Sequence, residues 1–407
     1  MKQNNLLVGQ SGGPTCAINA TLAGILQGAA REFPQSRIYG MLHGIVGVLE
    51  DRLTDLTELS RNPKTLDLLR VTPAAALGSC RHRLNSDPAH PDYDLLLERF
   101  RQYGIGTVFY IGGNDSMDTV AKLAPRAARE GICVLGVPKT IDNDLTGTDH
   151  TPGFGSAAKY VATSLSEIAC DCAVYRTRAV TVTEVMGRDA GWLTAAAGLP
   201  RLIGEPTADL IYLPETPFRF ESFLEEVENI FSQKPSVTVA VSEGIRFADG
   251  TYVGSDNRQR VDAFGHVRLA GAANVLTDFL SRRLGCKTRG IELNLPQRCA
   301  AHLLSETDIS ESVRIGQAAV AVARVGQSGQ MLSFRRVSNV PYTVEIGTVP
   351  AEQVANRVRA VPEEWLAPAG EVSPQLLMQI APLIRGEVSL PRKDGLPVHF
   401  LLEREIK

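Results

Sequence analysis

Two acidic, glycine-punctuated segments carry most of the side chains in this chain that can do chemistry. Val108–Ser116 reads V-F-Y-I-G-G-N-D-S, and Val134–Asp144 reads V-L-G-V-P-K-T-I-D-N-D. Each opens as a short apolar run of the kind that fills a buried parallel strand, and each ends in small and acidic residues. Ligands of open α/β sheets lie beyond the carboxyl ends of the strands, so both loops are expected to converge on one crevice. Glycines that let backbone N–H groups approach a ligand, beside carboxylates with no histidine or cysteine cluster, suit phosphate and Mg2+. The chemistry indicated is phosphoryl transfer.

Pro138–Asp144 is the densest segment, with two carboxylates, a hydroxyl, an amide and an ammonium. A carboxylate there can take a proton from a substrate hydroxyl, and Lys139 can neutralise a transferring phosphoryl group. A solvated polar turn is the plainer alternative. In Gly112–Ser116 the glycines permit close backbone approach and Ser116 can cap the following helix, while Asp115 can simply favour the helix dipole. Gln10–Thr15, Q-S-G-G-P-T, joins a first strand to a first helix, where N–H groups favour anions. It lacks the G-K-[ST] ending of a P-loop and also reads as a plain tight turn. Met186-Gly187-Arg188, Glu243, Arg289 and Gln297-Arg298 are further polar groups at strand ends. An arginine there can fork onto phosphate or merely cover the sheet.

Alternating strand and helix patterns must position these residues. Strands are expected at Leu6–Gly9, Thr107–Ile111, Cys133–Val137, Ala179–Val185, Asp209–Leu213, Val237–Ser242 and Gly290–Leu295. Helices are expected at Ala17–Glu32, Tyr93–Tyr103, Met117–Glu130, Ser156–Cys172, Ala190–Gly198, Phe223–Phe231 and Leu269–Leu284. Such alternation implies an α/β fold of parallel sheets with helices on both faces. The expected division is an N-terminal domain over 1–150 with a return segment at 299–335, a second domain over 151–298, and a C-terminal appendage over 336–407 packed on the second domain.

The 407 residues are 44% hydrophobic and 21% charged, enough for two domains and not a disordered composition. A net charge of −3 argues against nucleic acid or an anionic membrane as partner. No apolar stretch approaches the roughly 18 residues of a spanning helix, and Met1–Gly9 does not read as a signal peptide. Seven scattered cysteines without a C-x-x-C pair suggest neither disulfides nor zinc, and point to a reduced cytoplasmic compartment. A dinucleotide-binding oxidoreductase is disfavoured, because Gly153-Phe154-Gly155 follows a polar loop rather than a strand.

Taken in order, S-G-G-P-T, L-G-S-C-R, G-G-N-D-S, P-K-T-I-D-N-D, E-V-M-G-R, S-E-G and Q-R, from about Leu6 to Gly329, resemble the phosphofructokinase family, and more closely its pyrophosphate-dependent branch. The resemblance implies two Rossmann-like three-layer domains with the active site in the cleft between them. It implies reversible transfer of a phosphoryl group to the 1-hydroxyl of fructose 6-phosphate, with Mg2+. Asp142 matches the proton-accepting base, and Thr140, Ile141 and Asp144 match its neighbours around the transferring group and metal. Gly13, Arg81 and Gly113 match the donor site. Met186, Gly187, Arg188 and Glu243 match sugar-phosphate contacts. Arg289 and Arg298 match arginines that bind the 6-phosphate, the former reaching across from a neighbouring subunit, which implies a homodimer or larger homo-oligomer.

The donor follows from two positions of the resemblance. ATP-using relatives have glycine where Asp115 stands, and a carboxylate there repels a nucleotide's α-phosphate. They also have glycine where Lys139 stands, whose ammonium can stabilise a pyrophosphate leaving group. Three positions depart from the family pattern. Asn114 replaces a metal-binding aspartate, so Asp115, Asp142 or Asp144 is expected to take the ion. Leu295 replaces a polar residue beside the sugar phosphate, and Ala179 stands where some relatives place a subunit-bridging arginine. An ATP-dependent enzyme and a catalytically silent subunit of the same fold are the alternatives.

Overall fold

The computed structural model describes residues 4–254 and 271–402. Eleven strands make two sheets: β1 (Asn5–Gln10), β2 (Ile38–Met41), β3 (Leu53–Asp55), β4 (Ile105–Gly112), β5 (Cys133–Pro138), β6 (Ala179–Val185), β7 (Leu210–Tyr212), β8 (Ser236–Ser242), β9 (Lys287–Glu292), β10 (Gln330–Asn339) and β11 (Tyr342–Pro350). The first sheet runs β11-β10-β5-β4-β1-β2-β3 and the second β7-β8-β6-β9. Pairing is parallel throughout the second sheet and across the centre of the first; β3 and β11 are antiparallel edges.

Each sheet is covered on both faces, because successive side chains of a strand point to opposite sides. Leu6 and Val8 of β1 join Phe109, Ile111, Leu135 and Val137 beneath the helices Ile18–Glu32 and Glu306–Arg324. Leu7, with Val108, Tyr110 and Val134, faces the helices Pro91–Gln102 and Asn114–Arg129. The second sheet buries Val185 and Ala240 against the helix Phe154–Ala173 and the C-terminal helix Pro374–Ile380. Its other face packs Val180, Val182, Val237 and Val239 on the helices Phe220–Phe231 and Ala272–Leu284. The arrangement is the expected α/β one of three-layer units.

The chain after residue 335 corrects one expectation. β10, most of which lies in the expected return segment 299–335, extends the first sheet beyond β5 with Met331 opposite Gly136, and β11, expected in the appendage, continues that sheet as its edge. Met331, Leu332 and Phe334 are buried on both sides of β10, the mark of an interior strand. The helix Pro374–Ile380 lies on the second core with Val361 and Val372, and Trp365 and Tyr342 of β11 pack against it. The short strands β2 and β3 escape a periodicity reading because neither spans more than four residues. Residues 269 and 270 of the expected helix Leu269–Leu284 lie outside the described residues.

The helix Glu306–Arg324 approaches Ile18–Glu32 through glycine. A Cβ on Gly24 would stand 2.1 Å from the Val313 carbonyl oxygen, and one on Gly316 2.3 Å from that of Thr21. Overpacking of this kind costs about 1–3 kcal/mol. Gly24→Ala is therefore expected to lower the urea midpoint with little change in slope. An unchanged midpoint would mean that the two helices part at no cost.

Candidate active site

The registers Gly112↔Pro138 and Gly9↔Tyr110 end β1, β4 and β5 level with one another, and Val185↔Ser242 does the same for β6 and β8. The loops that follow face a cleft of about 1050 Å³ between the two sheets. Ser11–Thr15, Gly113–Ser116, Thr140–Asp142, Asp144, Arg81 and Arg83 line the side of the first sheet, with Lys139 at its floor. Met186, Arg188, Asp189, Ala190 and Glu243 line the other, and Arg298 closes one end.

Gly113 caps the helix Asn114–Arg129 with no side-chain bond, so the uncapped end of that helix opens on the cleft. The helix begins three residues before the expected Met117, which takes Asn114 and Asp115 into its first turn. Asp115 is gripped by Arg83, with Nη2 and Nε 2.7 and 2.9 Å from Oδ1. Thr15 Oγ1 accepts from the N–H groups of Ala17 and Ile18, at 3.2 and 3.0 Å, ending the first loop. A Cβ on Gly13 would meet the Arg298 guanidinium at 3.1 Å, so a side chain there would crowd that guanidinium.

Lys139 is 3% exposed, and its Nζ donates to the Gly13 carbonyl at 2.7 Å. Burial lowers its pKa to about 8 against the opposing pull of Asp142 and Asp144. The Thr140 hydroxyl accepts from the Asp142 N–H at 3.1 Å, and Asn143 turns the loop with φ 56°. Burial, then the charge of Glu243, pushes Asp142 well above the ordinary carboxylate range; burial and Asp142 do the same to Asp144. Burial raises Glu243, although it accepts from the Gly187 N–H at 3.3 Å. Arg298 is pulled down by burial and by the charge of Arg81. The Arg188 Nε is buried and, among the described residues, has no hydrogen-bond partner. The floor is thus acidic and the rims basic, an arrangement that can take up a hydroxyl proton beside bound phosphates.

Fourteen of the residues singled out in the sequence line this cleft: Gly13, Arg81, Gly113, Asn114, Asp115, Lys139, Thr140, Ile141, Asp142, Asp144, Met186, Arg188, Glu243 and Arg298. Gly187 stands behind the wall and supports Glu243 through its N–H. Leu295 is 53% exposed and does not line this cleft. Arg289 lies on β9, the edge of the second sheet, half exposed and 3.8 Å from Asp171, away from its own cleft. Sequence reasoning missed Arg83, Asp189, Asn356 and Val358, all on the wall. Arg83 had a signal in its place two residues after Arg81; Asn356 and Val358 sit in a segment with no motif.

The family model described as Phosphofructokinase matches residues 5–301. The chain is 37% identical over 404 residues to the pyrophosphate–fructose 6-phosphate 1-phosphotransferase of Halomonas elongata, covering 98% of this chain and 96% of that one. It is 39% identical to the protein of the same name from Xanthomonas campestris pv. campestris, over 99% and 97% of the two chains. The crystal structure of a pyrophosphate-dependent phosphofructokinase from Nitrosospira multiformis matches with a TM-score of 0.87 at 35% identity, over 98% of this chain and 96% of that one.

Proposed function

The chain belongs to the phosphofructokinase family, and we propose that it moves a phosphoryl group reversibly between pyrophosphate and the 1-hydroxyl of fructose 6-phosphate. The products of the forward reaction are fructose 1,6-bisphosphate and phosphate. One observation carries the reading: the Lys139–Asp144 floor faces Arg188 and Glu243 of the other sheet across one cleft, and the Asp115 carboxylate stands on the donor side.

In this reading Arg188 and Arg298 hold the sugar phosphate, and Glu243 accepts from sugar hydroxyls. Pyrophosphate lies along Gly12–Gly13 and the uncapped helix end at Gly113, near Arg81. The sugar oxygen attacks the distal phosphorus and its proton passes to Asp142. The bridging P–O bond breaks, and its electron pair departs with orthophosphate. Lys139 keeps one N–H on Gly13 and turns the others to the transferring group. The same steps run backwards, with protonated Asp142 returning the proton.

The residues present fit Mg2+, because the acidic floor offers carboxylate oxygens whose pKa values are raised by burial and by neighbouring carboxylates. Asp144, with Asp142 beside it, would hold the ion. Asp115 is already paired with Arg83, and Asn114 makes other bonds described below. Among the described residues no three His, Cys, Asp or Glu side chains group to hold a metal, so phosphate oxygens and water would have to supply the remaining ligands. When bound, the ion offsets charge on the transferring group.

The test is an assay with fructose 6-phosphate and Mg2+ that compares pyrophosphate with ATP. Pyrophosphate should be the far better donor, and the reverse reaction with phosphate should be measurable. ATP equal or superior to pyrophosphate would overturn the assignment. A pH profile adds a second check. Asp142 must be deprotonated, so kcat/KM should rise through about pH 6. Lys139 must be protonated, so it should fall through about pH 8. An acid limb near pH 4 would point to a different base.

We place the reaction in the cytoplasm, in keeping with seven free cysteines; among the described residues no helix is long and apolar enough to cross a membrane. We also propose a homodimer or larger homo-oligomer, in which Arg289 on the exposed edge β9 serves a neighbour's sugar-phosphate site.

A further inference from the structure

Asn114 stands where the resemblance expects a metal-binding aspartate, and its surroundings give another reason for the amide. Its Nδ2 donates to the Arg357 carbonyl, and its Oδ1 accepts from the Asn356 N–H. Both ends of the amide are committed to the backbone of one segment. An aspartate could accept the Asn356 N–H but would set a second carboxylate oxygen against the Arg357 carbonyl.

That segment crosses the mouth of the cleft. Val354 is fully buried with Met117, Leu145 and Met331 of the first sheet's side, while Val361 is buried in the core of the second. Between them Asn356 and Val358 line the cleft. Asn356 adopts φ 58° and its Nδ2 donates to Asp118 at 3.1 Å, one turn into the helix whose first turn holds Asn114 and Asp115. Arg359 anchors the far side. Its guanidinium lies 4.2 Å from the Trp192 ring and donates to the Thr148 carbonyl at 3.1 Å. Its N–H donates to the Asp144 carbonyl at 2.8 Å, and its carbonyl accepts from Trp192 Nε1 at 3.0 Å. The Val361 N–H donates to Glu215, which also takes the Gly191 N–H.

We infer that residues 354–361 form a strap latched by Asn114 and anchored by Arg359, which walls the donor end of the cleft and limits the length of the phosphate chain that enters. The inference rests on the proposed use of pyrophosphate. Gly113–Asp115 is flanked on one side by the Arg83–Asp115 pair and on the other by the Asn114–Asn356 latch. A donor longer than pyrophosphate has to displace one of them. Asn114 and Arg359 are positioning residues: the first fixes the wall, and the second ties the Asp144 loop to Trp192 in the other half of the molecule.

The probe is inorganic tripolyphosphate, pyrophosphate lengthened by one phosphate. The full chain is assayed with fructose 6-phosphate and Mg2+ and either donor, as wild type and as Asn114→Ala, Asn114→Asp and Asn356→Gly. Tryptophan emission is recorded in parallel, since Trp192, one of only two tryptophans, packs on the strap. Wild type should favour pyrophosphate. Both Asn114 variants should lose about tenfold in kcat/KM for pyrophosphate, since a displaced wall misplaces the donor. The KM for fructose 6-phosphate should hold, the ratio of tripolyphosphate to pyrophosphate use should rise, and Trp emission should shift. Asn356→Gly accepts the left-handed backbone and keeps both latch atoms, but removes the side chain that lines the cleft and bonds Asp118, so it should raise that ratio while Trp emission holds.

Asn114→Asp at or above wild-type activity would restore the metal-ligand reading and overturn the latch. So would equal losses with both donors and unchanged Trp emission. A wild-type chain inactive with pyrophosphate would instead fail the functional reading, and the emission shift would then judge the latch alone.

Discussion

Asp142→Ser is expected to cut kcat by about 10²–10⁴-fold, the usual worth of a positioned proton acceptor, while leaving the KM for fructose 6-phosphate within a few-fold. In the proposed function binding falls to Arg188, Glu243 and Arg298 on and beside the second sheet, whereas Asp142 sits on the floor supplied by the loop after β5. Burial and Glu243 raise its pKa, so it grips a proton better than a free carboxylate and still ionises below neutrality. Serine keeps a polar atom near the same place without basicity. The fall should appear in both directions of the reaction, because the base of one direction is the acid of the other. Steady-state rates from each side check this. A mutant within a few-fold of wild type would remove Asp142 from the mechanism.

Lys139→Met should cost about 10²–10³ in kcat with pyrophosphate, the loss typical when one charge-stabilising donor is taken from a water-poor site. The side chain is 3% exposed and its Nζ donates to the Gly13 carbonyl. With a pKa of about 8 it is mostly cationic at neutral pH. Its removal also deprives Asp142 and Asp144 of the cation that holds their pKa values down. The acid limb of the pH profile should therefore move to higher pH, which simple loss of a phosphate contact would not cause. The basic limb near pH 8 should disappear. Lys139→Arg is not expected to rescue, because the planar fork is larger than the ammonium and the space beside Gly12 is tight, with Nζ 3.2 Å from where its Cβ would stand. A profile with both limbs in place would leave Lys139 a structural residue.

The parts of the site legible in the sequence are those in which an apolar run ends abruptly in glycine and acid. β4 into Gly113–Asp115 and β5 into Lys139–Asp144 are of this kind, and register alone brings them together. Arg188 and Glu243 were legible for the same reason at the ends of β6 and β8. Three features were not. β2 and β3 are too short to show a period. Asn356 and Val358 reach the cleft through a strap whose direction is set by contacts with Asn114, Trp192 and Glu215, none of them near in sequence. For Arg289 only the resemblance pointed to a neighbouring subunit; nothing in its local sequence tells that it lies on an edge strand away from its own cleft. A motif names a residue's chemistry; the edge or centre of a sheet decides which pocket receives it.

The late arrival of β10 and of the helix Glu306–Arg324 has a consequence for synthesis. The helix Ile18–Glu32 waits for a partner across 290 positions of chain, as the Gln27–Gln317 bond records. The second sheet draws all four strands from one continuous stretch, β6 to β9. On the ribosome, which extends a chain by about 5–20 residues each second, the second sheet can therefore close first. The first must hold β1, β4 and β5 open along the β5 edge until β10 emerges. Closing so long a loop is slow, and an unpaired strand edge invites pairing with another chain. The nascent protein is most exposed to misassembly in the interval between residues 138 and 330, and the donor wall is among the last parts of the cleft to be built.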